Sequence, residues 1–250
     1  MPAFEVIVFD LFQTLCHWSS NSVPSAAHVV WARSPIQEKL CLAELIALID
    51  GTDGEELAPQ ALNDETFWTL RRNRIITTMN IAKIENQRSI LKLCEKAERH
   101  RNVTLYNDVI PMIYTLTQLG FKWAVCSNSS PDVIEKFVNK IGTSIPAPIG
   151  IISSSRVGAL KPNERMYREL KQIGAEPNQT LFVGDRIEPD ILGPLRHGYW
   201  ALQMIRHDDI PRAVAPEHPY FLGQVNNADT LLARVLEVCE FSNEPRRNGT

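Results

Sequence analysis

Leu181-Phe182-Val183-Gly184-Asp185-Arg186-Ile187-Glu188-Pro189-Asp190-Ile191-Leu192-Gly193 is the stretch on which the fold of this chain turns. Thr180 to Val183 reads as a short buried strand. Gly184 lets the backbone turn close to a ligand, and Asp185 puts a carboxylate at the strand tip. Asp190 follows at the expected start of a helix that runs to His197 and stops at Gly198. Open α/β sheets bind ligands at the C-terminal ends of their strands, so both acids stand where chemistry is expected. Asp185 can offer an oxygen to a hard cation, with Asp190 as a supporting ligand or a carboxylate behind it. Glu188 is the alternative second acid, although it also suits a helix N-terminus for electrostatic reasons.

The same strand-then-polar-tip pattern recurs on both sides of this stretch. Glu5 to Phe9 runs into Asp10-Leu11-Phe12-Gln13-Thr14-Leu15, and Phe121 to Cys126 runs into Ser127-Asn128. Ile149 to Ile152 and Tyr199 to Met204 read as further strands. Helices are expected over Asp108 to Leu119, Pro131 to Lys140, Asn163 to Ile173 and Asn227 to Cys239, several closed by glycine. Strands alternating with helices of this length predict an α/β fold with a Rossmann-like parallel sheet. Residues 19–104 break the alternation and read as helices, one starting near Asn63-Asp64-Glu65 and another covering Ile81 to His100. The expected organisation is a core of residues 1–18 and 105–241, a helical insertion of residues 19–104, and a frayed tail over 242–250.

The chain has 250 residues, 44% hydrophobic and 22% charged, with a net charge of -3, which fits a globular enzyme. No general attraction to nucleic acid or to an anionic membrane follows from that charge. No apolar run reaches the roughly 18 residues of a membrane span, and strand-like sequence begins too early for a signal peptide. Cys16, Cys41, Cys94, Cys126 and Cys239 lack zinc-like spacing and read as reduced thiols, so a cytoplasmic protein, monomeric or homodimeric, is expected.

Four motifs in order carry a resemblance to the haloacid dehalogenase-like (HAD) superfamily: Asp10 to Thr14, Ser127-Asn128, Lys161-Pro162, and Gly184-Asp185 with Asp190. The resemblance implies Asp10 as nucleophile, assisted by Thr14, with Ser127 and Asn128 binding the transferred group. Lys161 would be a fixed cation offsetting crowded carboxylates. It also implies Mg²⁺ held by Asp10, the Phe12 backbone carbonyl, Asp185 and Asp190, and a small anionic substrate beneath a C1-type helical cap. The bland alternatives are turn chemistry at Ser127-Asn128 and a solvated lysine at 161.

Phe12 departs from the pattern. The family's phosphatases carry there a second Asp that protonates the leaving oxygen, help worth about 10²–10⁴-fold. Haloacid dehalogenases carry an aromatic there, but they work without Mg²⁺ and lack the Gly-Asp found at 184–185. The resemblance therefore implies a phosphatase first, with C–X hydrolysis or a non-catalytic binding protein as alternatives. His17 is a candidate replacement proton carrier. Arg71 and Arg74 share a helix face with Arg72 nearby; these and Arg33 either hold an anionic substrate or are solvated. Trp18, Trp31 and Trp68 either line the pocket or pack as core. Tyr167 matches a dehalogenase spacing but reads as a packed core residue.

Overall fold

Along strand β1 (Val6–Phe9), Val6 and Val8 point to one side and Ile7 and Phe9 to the other, and all four are buried. A strand buried on both faces needs a layer on each side, which is the arrangement in this computed structural model. It describes residues 4–19, 25–57, 64–100, 102–206 and 217–241. The remaining strands are β2 (Cys16–Trp18), β3 (Val103–Leu105), β4 (Lys122–Ser127), β5 (Ile151–Ser153), β6 (Thr180–Gly184), β7 (Trp200–Met204) and β8 (Phe221–Val225). The helices are α1 (Ala26–Arg33), α2 (Leu42–Asp50), α3 (Asp64–Ile81), α4 (Gln87–His100), α5 (Val109–Gln118), α6 (Pro131–Ile141), α7 (Ser154–Val157), α8 (Glu164–Gln172), α9 (Gly193–Arg196) and α10 (Ala228–Phe241).

Six strands form one parallel sheet in the order β5-β4-β1-β6-β7-β8. Ile7 and Phe9 join Met112, Ile113, Phe137 and Leu231 under α5, α6 and α10. Val6 and Val8 join Met166, Tyr167, Leu170 and Tyr199 under α8. Each such side chain contributes about 1.5–3 kcal/mol when fully buried, so the sheet is held from both faces. The register sets the site: Phe9 pairs with both Val125 and Val183. Asp10 therefore leaves the sheet level with Cys126 and Gly184, and Ser127 and Asp185 follow one residue on.

Between β2 and β3, helices α1 to α4 pack on a cluster of their own that includes Ala26, Val30, Leu45, Ile49, Met79 and Cys94. Antiparallel pairing of β2 with β3 ties this insertion to the sheet domain. These two short strands flank the helices, and only Val103 and Thr104 of β3 fall within residues 19–104, which were expected to be helical. Three further corrections have local causes. The helix expected from Ile81 splits there, with Lys83 at φ 55° and α4 starting at Gln87. The edge strand β8 went unread because Gly223 sits at φ 92° and its middle is only half-buried. The helix expected from Asp190 begins instead as a wide π-helical turn, Ile187–Leu192, before α9. The tail over 242–250 and the helix start at Asn63 lie outside the described residues.

Candidate active site

Asp10, Asp185 and Asp190 are all buried, and one oxygen from each lies within 4.8 Å of the others. Sheet register delivers the first two; the wide turn after β6 delivers the third. Asp190 Oδ2 accepts the Arg186 backbone N–H at 3.0 Å, which pulls its side chain back over Gly184. A Cβ on Gly184 would lie 2.5 Å from Asp190 Cβ, so this approach needs a glycine.

Lys161 fills the space between two of the acids. Its ammonium donates to Asp10 Oδ1 and Asp190 Oδ1, each at 2.6 Å, and to the Cys126 carbonyl at 2.8 Å, while the side chain is 1% exposed. Three donors meet three acceptors, so the buried charge is fully satisfied. Burial disfavours its charge, but Asp10 and Asp190 outweigh that and hold the lysine above its usual range. Burial raises Asp10 to about 6 against the pull of Lys161. Asp185 rises to about 8, through burial and then the neighbouring Asp190 and Asp10. Among the described residues Asp185 has no ion-pair partner. Three carboxylates against one ammonium leave a surplus of negative oxygen that a hard divalent cation would balance. The donor set therefore fits Mg²⁺.

Asn128 lines the cavity between the sheet domain and the insertion and also holds the Lys161 segment. Its side-chain oxygen accepts the Lys161 backbone N–H at 2.7 Å and its amide donates to the Lys161 carbonyl at 3.3 Å. It thereby positions the lysine. Ser127 is buried, with its hydroxyl 2.7 Å from that of Ser129. Thr14 is buried and its hydroxyl has no partner among the described residues, while its carbonyl accepts two N–H groups of Arg206. Glu188 pairs with Arg196 at the surface, leaving Asp190 as the second acid. Tyr167 is core: its ring meets Phe182, Tyr199 and His197 and its hydroxyl donates to the Pro189 carbonyl.

A cavity of about 320 Å³ opens between the sheet domain and the insertion. The sheet side contributes Phe12, Asn128, Ser129 and Leu160; the insertion contributes His28, Ile46, Asp50, Leu70, Arg71 and Arg74. Phe12 stacks on Trp18 with ring centroids 4.2 Å apart. Arg71 pairs with Asp50 at 2.6 Å and Arg74 with Glu55. Arg72 points elsewhere, to Glu95, and Arg33 is exposed. Trp31 and Trp68 do not line the cavity, and neither does His17, which bonds the Trp18 carbonyl and packs on Tyr106. Strand alternation explains His17: with Trp18 turned to the cavity, its neighbour faces away. His28 went unnoticed in the sequence because it lies far along the chain from every motif.

The loop between α2 and α3 docks on the segment that carries Lys161. Gly54 N–H donates to the Lys161 carbonyl at 3.0 Å, Leu160 N–H to Glu55 at 2.8 Å, and Leu57 N–H to Gly158 at 2.8 Å. Asn163 adds a side-chain bond to the Gly54 carbonyl, and Arg186 pairs with Asp53.

A family model described as haloacid dehalogenase-like hydrolase matches residues 4–198. A glyceraldehyde 3-phosphate phosphatase of Methanopyrus kandleri is 30% identical over 125 residues, covering 42% of this chain and 50% of that protein. The match thus spans about half of that relative's length. A haloacid dehalogenase-like hydrolase from Xanthomonas campestris superposes with a TM-score of 0.63 at 15% identity, over 97% of this chain and 99% of that one. L-2-haloacid dehalogenase from Xanthobacter autotrophicus, with chloropropionic acid covalently bound, gives 0.54 at 18% identity, over 93% and 98%. At these identities the two structures speak for the fold alone. With the motifs in order, the acids at adjacent strand tips and the family match over most of its length, the chain belongs to the haloacid dehalogenase-like hydrolases.

Proposed function

We propose that the chain is a Mg²⁺-dependent phosphatase that cleaves a small phosphorylated metabolite through an aspartyl-phosphate on Asp10. Asp185 carries this reading. A third buried carboxylate that has no ion-pair partner among the described residues suits a bound cation and has no evident part in metal-free attack on carbon. Asp10 and Asp185, with the Phe12 carbonyl, would hold the ion, and Asp190 would brace it. When bound, Mg²⁺ would neutralise charge on the transferring phosphoryl group. The partial relative is itself a phosphatase.

Lys161 holds one oxygen of Asp10, leaving the other to attack phosphorus. An Asp10 oxygen bonds to phosphorus as the P–O bond to the leaving group breaks, and the leaving oxygen keeps the electron pair and takes a proton from solvent. Water then bonds to phosphorus and gives a proton back to solvent as the Asp10–phosphorus bond breaks, releasing phosphate and regenerating the Asp10 carboxylate. Phe12 supplies no proton, so alkyl esters, which take theirs from solvent, turn over more slowly than substrates whose leaving oxygen needs little help. The α1–α4 insertion would act as a lid that excludes water.

Phe12 stacked on Trp18 favours a second reading, hydrolysis of a C–X bond, in which no leaving-group proton is required. One panel separates the readings: p-nitrophenyl phosphate, acetyl phosphate and L-2-chloropropionate, each with Mg²⁺ and with EDTA. Metal-dependent phosphate release is expected. Release that survives EDTA sinks the metal-dependent reading, metal-free halide release establishes the second, and no turnover points to a binding protein.

A further inference from the structure

We propose that the Asp50–Arg71 pair selects phosphate monoesters whose organic part is small, neutral and hydroxyl-bearing, and rejects those that carry a second anion; this rests on the phosphatase reading above.

Two arginines on one face of α3 invite the opposite conclusion, that the insertion binds a second acidic group. Their partners decide against it. Asp50, the last residue of α2, lies 2.6 Å from Arg71, and Glu55 pairs with Arg74. Among the described residues, each of these two arginines therefore faces a carboxylate rather than open space. A carboxylate or second phosphate drawn to Arg71 would lie within a few ångströms of Asp50, and that repulsion cancels most of the attraction. A hydroxyl meets no such conflict. It can donate to Asp50 and accept from Arg71 at once.

The two pairs are not equally adjustable. Glu55 is held on three sides: by Arg74, by the Thr52 N–H on Oε2 at 2.9 Å, and by the Leu160 N–H on its carbonyl. A Cβ on Gly51 would strike Leu160 at 2.7 Å and Glu55 at 2.9 Å, so the turn that seats Glu55 is tightly packed. Asp50 has a 36% exposed side chain, and its Oδ1 approaches Arg71 without completing a well-angled hydrogen bond. Asp50 is therefore the point at which selectivity can be altered. Beside the pairs, Ile46, Leu57, Phe67 and Leu70 give the wall an apolar stretch, with Ser25 and His28 as its other polar residues. A volume of about 320 Å³ is at the small end for ligand pockets, suiting a chain of a few carbons rather than a nucleotide.

The test uses a matched pair of esters, glyceraldehyde 3-phosphate and 3-phosphoglycerate, which differ in an aldehyde against a carboxylate at the same carbon. With Mg²⁺ at pH 8, the wild-type protein should favour the neutral ester by at least tenfold in kcat/KM. Asp50→Asn removes the negative charge beside Arg71 and should shift that ratio at least tenfold toward 3-phosphoglycerate. Arg71→Gln should lower turnover of the neutral ester without helping the acid. A wild-type preference for 3-phosphoglycerate, or a ratio unmoved by Asp50→Asn in a folded protein, overturns the inference. If that variant does not fold, the wild-type ratio and Arg71→Gln decide. Phosphate release from acetyl phosphate alongside a carboxylate preference would refute this inference alone. No release from any phosphate would overturn the phosphatase reading with it.

Discussion

Replacing Lys161 with methionine keeps the length of the side chain and removes its charge. The ammonium lies 2.6 Å from each of two carboxylates. At an effective dielectric of 20, each contact is worth roughly 6 kcal/mol of gross Coulomb attraction. Desolvating three ions cancels much of that, at several kcal/mol per ion. What remains on truncation is the cost of stranding Asp10 and Asp190, about 3–5 kcal/mol for one partner of a buried pair. That is a large share of the roughly 5–15 kcal/mol that holds a domain folded. Urea unfolding at pH 7.5 in EDTA measures it. Lys161→Met should lose about 4 kcal/mol by this reasoning, and Mg²⁺ should then stabilise the variant more than the wild type. Adding Asp190→Asn should restore part of the loss, because it removes one stranded charge. A loss below about 1 kcal/mol would mean that the lysine is not the counter-ion for this cluster.

Asp10 and Asp185 bind protons more tightly folded than unfolded, with values raised to about 6 and about 8. In EDTA, the contribution of these two groups to stability should therefore be greatest below about pH 4 and fall as pH rises from there, levelling off above about 6 for Asp10 and about 8 for Asp185. Urea midpoints read this directly; a rise over that window would refute the assignment, and millimolar Mg²⁺ should flatten the slope. Gly184→Ala must displace Asp190, so Mg²⁺ protection against thermal unfolding should weaken and phosphatase activity fall at least tenfold. Phe12→Asp supplies the missing proton carrier at the expense of the Trp18 stack. Turnover of alkyl phosphates should rise at least tenfold relative to acetyl phosphate, and an unchanged ratio would show that protonation does not limit the reaction.

The strand-tip residues were legible because a buried parallel strand ending in a polar residue is a local pattern. Asp10 and Ser127 stand one step beyond an apolar run and Asp185 two, after Gly184, and the parallel arrangement of the strands follows from the alternating helices. Asp190 was legible as an acid but not as a reversal, since nothing local announces the wide turn that brings it beside Lys161. The cavity was the least readable part. Arg71 and Arg74 stood out by spacing, yet the carboxylates that neutralise them arrive from α2 and the following loop, and only tertiary packing joins them. Asn128 illustrates the same limit. Its type suited a ligand, while the partner it holds is a backbone 33 residues away.

The loop from Gly51 to Leu57 belongs by chain order to the insertion and by hydrogen bonding to the Lys161 segment. Modules in this protein therefore do not coincide with its helices. A chimera that exchanged residues 25–100 for a relative's insertion would also replace part of the mould around Lys161. One that exchanged only α1, α2 up to Asp50, α3 and α4 would leave that mould intact. The natural seams for recombination run on either side of this loop, and its length is constrained more like that of an active-site strand tip than that of a surface turn.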